Sequence, residues 1–227
     1  MEVIMVDFPH LKKAPIVEAT FEIRCNIAVD KLKTLFEKQF KLNFSELKTQ
    51  SISFNPLKGD LSIPAPTTIG IEARTETDII QIKKDAILFS RIKEYESFDN
   101  INKYIQAVFH ENIIEDISRI GCRYINVFSI KKDLLPAKFY NLSIYEETSS
   151  LKQQIFKREV SKIDSFDVIL INNIVQNNDI LNITLDIDVS KSEQINTQQI
   201  NEIISKITEL KNKIFFSYIK TYEEVFN

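Results

Sequence analysis

Three stretches of the chain alternate between apolar and polar side chains, and that period of two commits them to strands with one buried face. In the first, Val17, Ala19, Phe21, Ile23 and Cys25 fall on one side, with Glu18, Thr20, Glu22 and Arg24 on the other. In the second, over 119–130, Ile120, Cys122, Tyr124, Phe128 and Ile130 share a face with Asn126. A buried asparagine there requires hydrogen-bond partners. The third sets Leu181, Ile183, Leu185, Ile187 and Val189 inward, against Asn182, Thr184, Asp186 and Asp188. With 168–175 and the Asn177-Asn178-Asp179 turn before it, it makes the clearest hairpin in the chain.

Between these stretches the period changes to 3.6. Leu32, Leu35, Phe36 and Phe40 define a helix that Asp30 is expected to cap. Pro56, Gly59, Pro64 and Pro66 predict a loop over 56–67. Strands follow at 68–75, 78–84 and 86–93, with Lys84-Asp85 turning between the last two. Ser97 or Asp99 is the expected cap of the next helix, whose buried side carries Ile101, Tyr104, Ile105, Val108 and Phe109. Residues 134–148 read as a crossover and 151–162 as a strand. A terminal helix capped at Asn196 or Thr197 bears the stripe Ile200, Ile203, Ile207, Leu210, Ile214, Tyr218, Tyr222 and Val225. Its expected length is about 30 residues, or ~45 Å.

Strand, connection, three or so strands, then helix: this order runs over 15–116 and again over 119–226. It implies a single compact unit, 1–227, built from two half-repeats of a β-α-βββ-α pattern. Short turns between neighbouring strands make the sheet largely antiparallel, and helices on one face make the class α+β. Two shapes satisfy this order, a pseudo-symmetric saddle and a curved sheet gripping the long C-terminal helix.

Composition removes several classes of function. Three glycines, Gly59, Gly70 and Gly121, cannot assemble a phosphate-cradling loop or a dinucleotide fingerprint. A net charge of −3 gives nucleic acid no overall electrostatic footprint. No apolar run approaches the ~20 residues a bilayer requires, and the opening Met-Glu-Val-Ile-Met-Val-Asp is too short and too acidic for a signal peptide, so none is expected. The expected setting is the cytoplasm, with Cys25 and Cys122 reduced and buried.

Ala14-Pro-Ile-Val-Glu-Ala19, the 78–95 segment around Gln81, and Arg119-Ile-Gly-Cys-Arg-Tyr-Ile-Asn126 resemble a sporadically distributed family of uncharacterised prokaryotic proteins. Where that family often carries tryptophan, this chain has Phe98, and past residue 130 the likeness is weak. The resemblance implies an accessory gene of the kind found at defence and toxin–antitoxin loci. It implies no activity.

The best candidate site is the charged side of the two motif strands: Glu18 and Glu22 from one, Arg119 and Arg123 from the other, supported by Tyr124 and Asn126. A vacant Arg123 fork would hold a carboxylate or phosphate. The competing reading is a salt-bridge ladder that sets strand register. Cys25 or Cys122 with His110 is arithmetically a nucleophile and base, but both thiols fall on apolar faces. No catalytic residue is therefore assigned. Asp186 and Asp188 lack the glycine-kinked loop of a calcium site, and no Cys/His spacing suits zinc, so neither metal nor cofactor is expected. Phe215, Phe216, Tyr218 and Tyr222 make the terminal helix a candidate interaction surface. The expected partner is another protein or a second copy of the chain, in a non-catalytic, antitoxin-like or defence-associated role. Binding of single-stranded nucleic acid or a nucleotide on the sheet is the alternative, and a carboxylate-only enzyme leaves no motif to judge by.

Overall fold

The alternating stretches are strands, and they meet. The computed structural model describes residues 15–49, 53–55, 60–62, 66–111, 113–131, 154–177 and 179–218. In chain order these form β1 (Ile16–Ile27), α1 (Val29–Phe40), β2 (Phe44–Thr49), β3 (Ser53–Asn55), β4 (Asp60–Ser62) and β5 (Thr67–Arg74). They continue with β6 (Asp78–Lys83), β7 (Ala86–Arg91), α2 (Asp99–His110), β8 (Ile114–Lys131) and β9 (Gln154–Ile163). β10 (Phe166–Asn177), β11 (Ile180–Lys191) and α3 (Ile200–Tyr218) complete them. Nine strands make one sheet in the order β2-β5-β6-β7-β1-β8-β11-β10-β9, while β3 and β4 pair separately. Every pairing among the described strands is antiparallel. With the helices, this is an α+β fold.

The strand order is arranged about its middle. β1 and β8 lie side by side, and each is flanked by the strand that precedes a helix, β7 before α2 and β11 before α3. β8 begins at Ile114, so a division at 116–119 would cut through a strand.

The core is one continuous layer between the sheet's inner face and the helices. Phe36 of α1 is fully buried against Phe89 of β7 and Tyr104 of α2, with ring centroids 6.0 and 6.2 Å away. α3 packs on β8 and β11 through Ile203, Ile207, Leu210 and Phe215. Gly70 of β5 is required by close approach, because a Cβ there would stand 2.3 Å from the Ile82 carbonyl oxygen. Gly70→Ala is expected to push β5 from β6 and cost about 1–3 kcal/mol, read from the urea unfolding midpoint.

Several local expectations need correction. Asp30 does not cap α1; Ala28 holds that position without a side-chain bond, and Asp30 sits in the first turn, where a carboxylate favours the helix dipole. Neither Ser97 nor Asp99 caps α2, whose N-cap is Phe98. Instead Asn100 Oδ1 accepts from the Glu96 and Ser97 amides, and Ser97 Oγ accepts from the Asp99 amide. Asn196 does cap the final helical segment, its side chain accepting from the Gln198 amide at 3.0 Å. A register shift between Ile16 and Glu18 turns Val17 outward, and Ile16 packs on the core in its place. Strands β2 and β3 occupy a segment without clear alternation, and β4 falls inside the expected loop. α3 spans nineteen residues as described, ~28 Å of rise. The 134–148 crossover and the end of the terminal helix, Tyr222 included, lie outside the described residues. No described helix is long and apolar enough to cross a membrane.

Candidate functional site

Alternation puts Glu18, Thr20, Glu22 and Arg24 of β1 on the face away from the helices, and Arg119, Gly121 and Arg123 of β8 beside them. The register sets Thr20 opposite Arg123, Glu22 opposite Gly121 and Arg24 opposite Arg119. β11 adds Asp188, opposite Arg123 on the other side, and Asp186 two residues earlier. Glu18, Glu22, Arg119 and Arg123 thus line one hollow of about 390 Å³, with Asp188, Thr20, Ser90 and Gln81.

Gly121 explains the middle of the Arg-Ile-Gly run. A Cβ there would meet the Ser190 Cβ at 3.0 Å and the Arg119 guanidinium carbon at 3.1 Å, so the missing side chain leaves room for both beside the strand. From that position Arg119 reaches Glu22 at 3.1 Å and Asp188 at 3.5 Å. Arg24 donates to the same Glu22. Arg123 is not a vacant fork. Its Nε and a terminal nitrogen both donate to the buried Asp186 carboxylate, at 2.9 and 2.6 Å, which holds the guanidinium pKa above its ordinary value. Each of Arg24, Arg119 and Arg123 thus has a carboxylate partner within the sheet.

What remains is a small acidic surplus. In the lining of the hollow Glu18, Glu22 and Asp188 face Arg119 and Arg123, and among the described residues the Glu18 carboxylate accepts one hydrogen bond, from the Thr20 hydroxyl 2.9 Å away. Burial, together with the neighbouring Glu22 and Asp186 carboxylates, pushes the Asp188 carboxyl upward despite Arg119 and Arg123. The hollow suits a cation or a hydrogen-bond donor better than it suits a phosphate.

Tyr124 and Asn126 are not part of this hollow. They point to the helix side, since successive residues of a strand face opposite ways. Asn126 Nδ2 donates to the Leu185 carbonyl at 3.0 Å, and the Tyr124 ring lies edge-on to Tyr95 at 5.8 Å. Three of the terminal-helix aromatics, Phe215, Phe216 and Tyr218, make contacts within the chain. Phe215 is buried, Phe216 and Tyr218 pack on the core, and the two phenyl rings meet edge to face at 5.1 Å. Tyr218 donates to Glu159 at 2.6 Å.

Two constellations escaped the sequence reading. Asp78 and Arg91 form a nearly buried ion pair at 3.0 Å, to which the Tyr104 hydroxyl also donates. Lys211 is buried beneath Tyr124, its Nζ 4.4 Å from the ring centroid, and burial lowers its pKa to about 8. Spacing could have found it, because Ile203, Ile207, Lys211 and Phe215 recur every fourth residue along one helix face.

The nucleophile–base pairing is not assembled. His110 stands exposed at the end of α2, while Cys25 and Cys122 are buried on the inner face. Burial pushes both thiols up to about 12. The native protein is expected to leave an aromatic disulfide reagent unreacted at pH 8 and to release two equivalents of thiol only after denaturation, followed by absorbance. Among the described residues no group of three or more His, Cys, Asp or Glu side chains gathers as a metal site would require. No protein-family model matches the chain, and no curated protein matches it.

Proposed function

We propose that this chain is a non-catalytic binding protein that takes a segment of another protein across the outer face of its sheet. The setting is the cytoplasmic, antitoxin-like or defence-associated one that the motif resemblance implies. The observation that carries the reading is the asymmetry of the sheet. All three described helices cover the inner face, while the outer face pairs a charged central hollow with exposed Val127, Val175 and Ile180. An uncovered apolar surface beside a polar pocket is what a protein partner fills, with apolar contacts supplying attraction and charges supplying choice. The acidic surplus at Glu18 selects for a lysine or arginine on the incoming segment. It repels a phosphate backbone, which sets nucleic acid second.

The test is affinity capture from the native cell with the wild type, Glu18→Lys and Val127→Asp. Both positions are on the outer face, Glu18 half-buried and Val127 exposed, so the unfolding midpoint should hold. A protein captured in fixed proportion by the wild type and lost with both variants supports the reading. Capture of nucleic acid without protein overturns it in favour of the alternative, and a partner retained by both variants overturns the surface assignment.

A further inference from the structure

We infer that two copies of the chain join through β9, the edge strand whose outer side no described strand pairs, making one continuous antiparallel sheet. The inference is independent of the partner-binding reading and rests on a different part of the fold.

The two edges of the nine-stranded sheet differ in kind. β2 has six residues, exposes Ser45, Glu46, Lys48 and Thr49, and slips register between Leu47 and Lys48. Short length, charge and a bulge are the devices that keep an edge from pairing. β9 has ten residues and runs against β10 without a slip from Gln154 to Ile163. On its outer face stand Phe156 and Val160, 62% and 63% exposed, more than any other large hydrophobic among the described residues. An edge that is long, regular and apolar is a template for another strand.

Its charges fit a second copy of itself. In an antiparallel pair about a two-fold axis normal to the sheet, outer residues meet outer residues. Centring the axis on Arg158 sets Phe156 opposite the partner's Val160, and Val160 opposite the partner's Phe156. On the helix side the same register sets Lys157 opposite the partner's Glu159, and Glu159 opposite the partner's Lys157. Sliding by two residues one way sets lysine against lysine, and the other way glutamate against glutamate. Glu159 is already held in place by Lys157 at 2.7 Å and by the Tyr218 hydroxyl at 2.6 Å. The cost of the register is Arg158 beside its own copy. That guanidinium borders a hollow of about 200 Å³ lined also by Arg123, Asp186 and Asp188, so each arginine can lean toward carboxylates of its own sheet, shared with Arg123 and Arg119, and away from its copy.

The register makes the test specific. Arg158→Cys places a thiol on the axis, where paired strands bring Cα atoms within disulfide reach. The two native thiols are buried and pushed up to about 12, so they do not compete. Mild oxidation should convert Arg158→Cys to a covalent dimer, and should leave Phe156→Cys monomeric on a non-reducing gel. Sedimentation should show the wild type as a dimer whose dissociation constant rises at least tenfold in Val160→Lys, with the circular dichroism spectrum unchanged. A wild type that is monomeric at its highest soluble concentration overturns the inference. So does a dimer that Val160→Lys leaves intact and Arg158→Cys does not cross-link.

Discussion

Asp78→Ala is expected to cost about 3–5 kcal/mol, the loss that follows when one partner of a buried ion pair is removed. The Asp78 carboxylate divides its two oxygens, accepting from Arg91 and from the Tyr104 hydroxyl, each at 3.0 Å. Truncation leaves a guanidinium that is 11% exposed with the Thr77 hydroxyl and the Glu94 carbonyl as its remaining partners. It also cuts the tether between α2 and the sheet, since Tyr104 belongs to the helix and Asp78 to β6. Burial, with Asp78 beside it, holds the Tyr104 hydroxyl well above its ordinary pKa, so it stays a donor throughout the working range. Tyr104→Phe should be milder, about 1 kcal/mol for one hydrogen bond. Urea midpoints followed by circular dichroism measure both. Equal losses in the two variants would mean that the ion pair contributes nothing of its own.

Lys211→Met should move stability the other way. Burial lowers the ammonium from 10.5 to about 8, so at pH 7 the native state carries a charge that it holds poorly. With a tenfold change in acidity worth about 1.4 kcal/mol, the variant should gain roughly 3 kcal/mol at pH 7. The sign follows from proton counts. Between pH 8 and 10.5 the unfolded chain keeps the lysine proton that the native chain releases, so stability rises with pH and the gap to the variant closes. In the wild type the rise is visible only up to about pH 9. From there the unfolded chain's thiols ionise, while Cys25 and Cys122 in the native chain hold their protons to about 12, and stability falls. Midpoints for both proteins at pH 7, 8, 9 and 10 decide the matter, and a gap that stays constant with pH would refute the assignment.

The legible part of the molecule was the part governed by a single element. Alternation located β1, β8 and β11 because each buries one full face, and it correctly set Glu18, Glu22, Arg119 and Arg123 on the opposite side. It could not say what those arginines would meet. Asp186 and Asp188 were visible as a polar pair, but their engagement of Arg123 and Arg119 depends on β11 lying beside β8, a fact of strand order that no local pattern carries. The same alternation already placed Tyr124 and Asn126 inward, so assigning them to the outer site conflicted with the pattern that found them. β2 was missed because Phe-Ser-Glu-Leu-Lys-Thr is an edge strand, half solvated on both faces, with little periodicity to read.

The arrangement of the sheet about its middle also sets the order in which it can be built. β5 to β7 and β9 to β11 are hairpins between sequence neighbours and close cheaply. β1 must instead find β7 after α1 and the hairpins have passed, and must find β8 still later, Glu22 meeting Gly121 across most of the first half. Loop closure over such distances is slow, so the seam between β1 and β8 should be the last to form. Pulsed hydrogen exchange during refolding should protect β10 and β11 amides before those of β1, and the reverse order would contradict this. The charged hollow straddles that seam. A chain arrested partway, with both outer hairpins in place, would have most of its secondary structure and none of its site, so binding competence arrives with the final kinetic step.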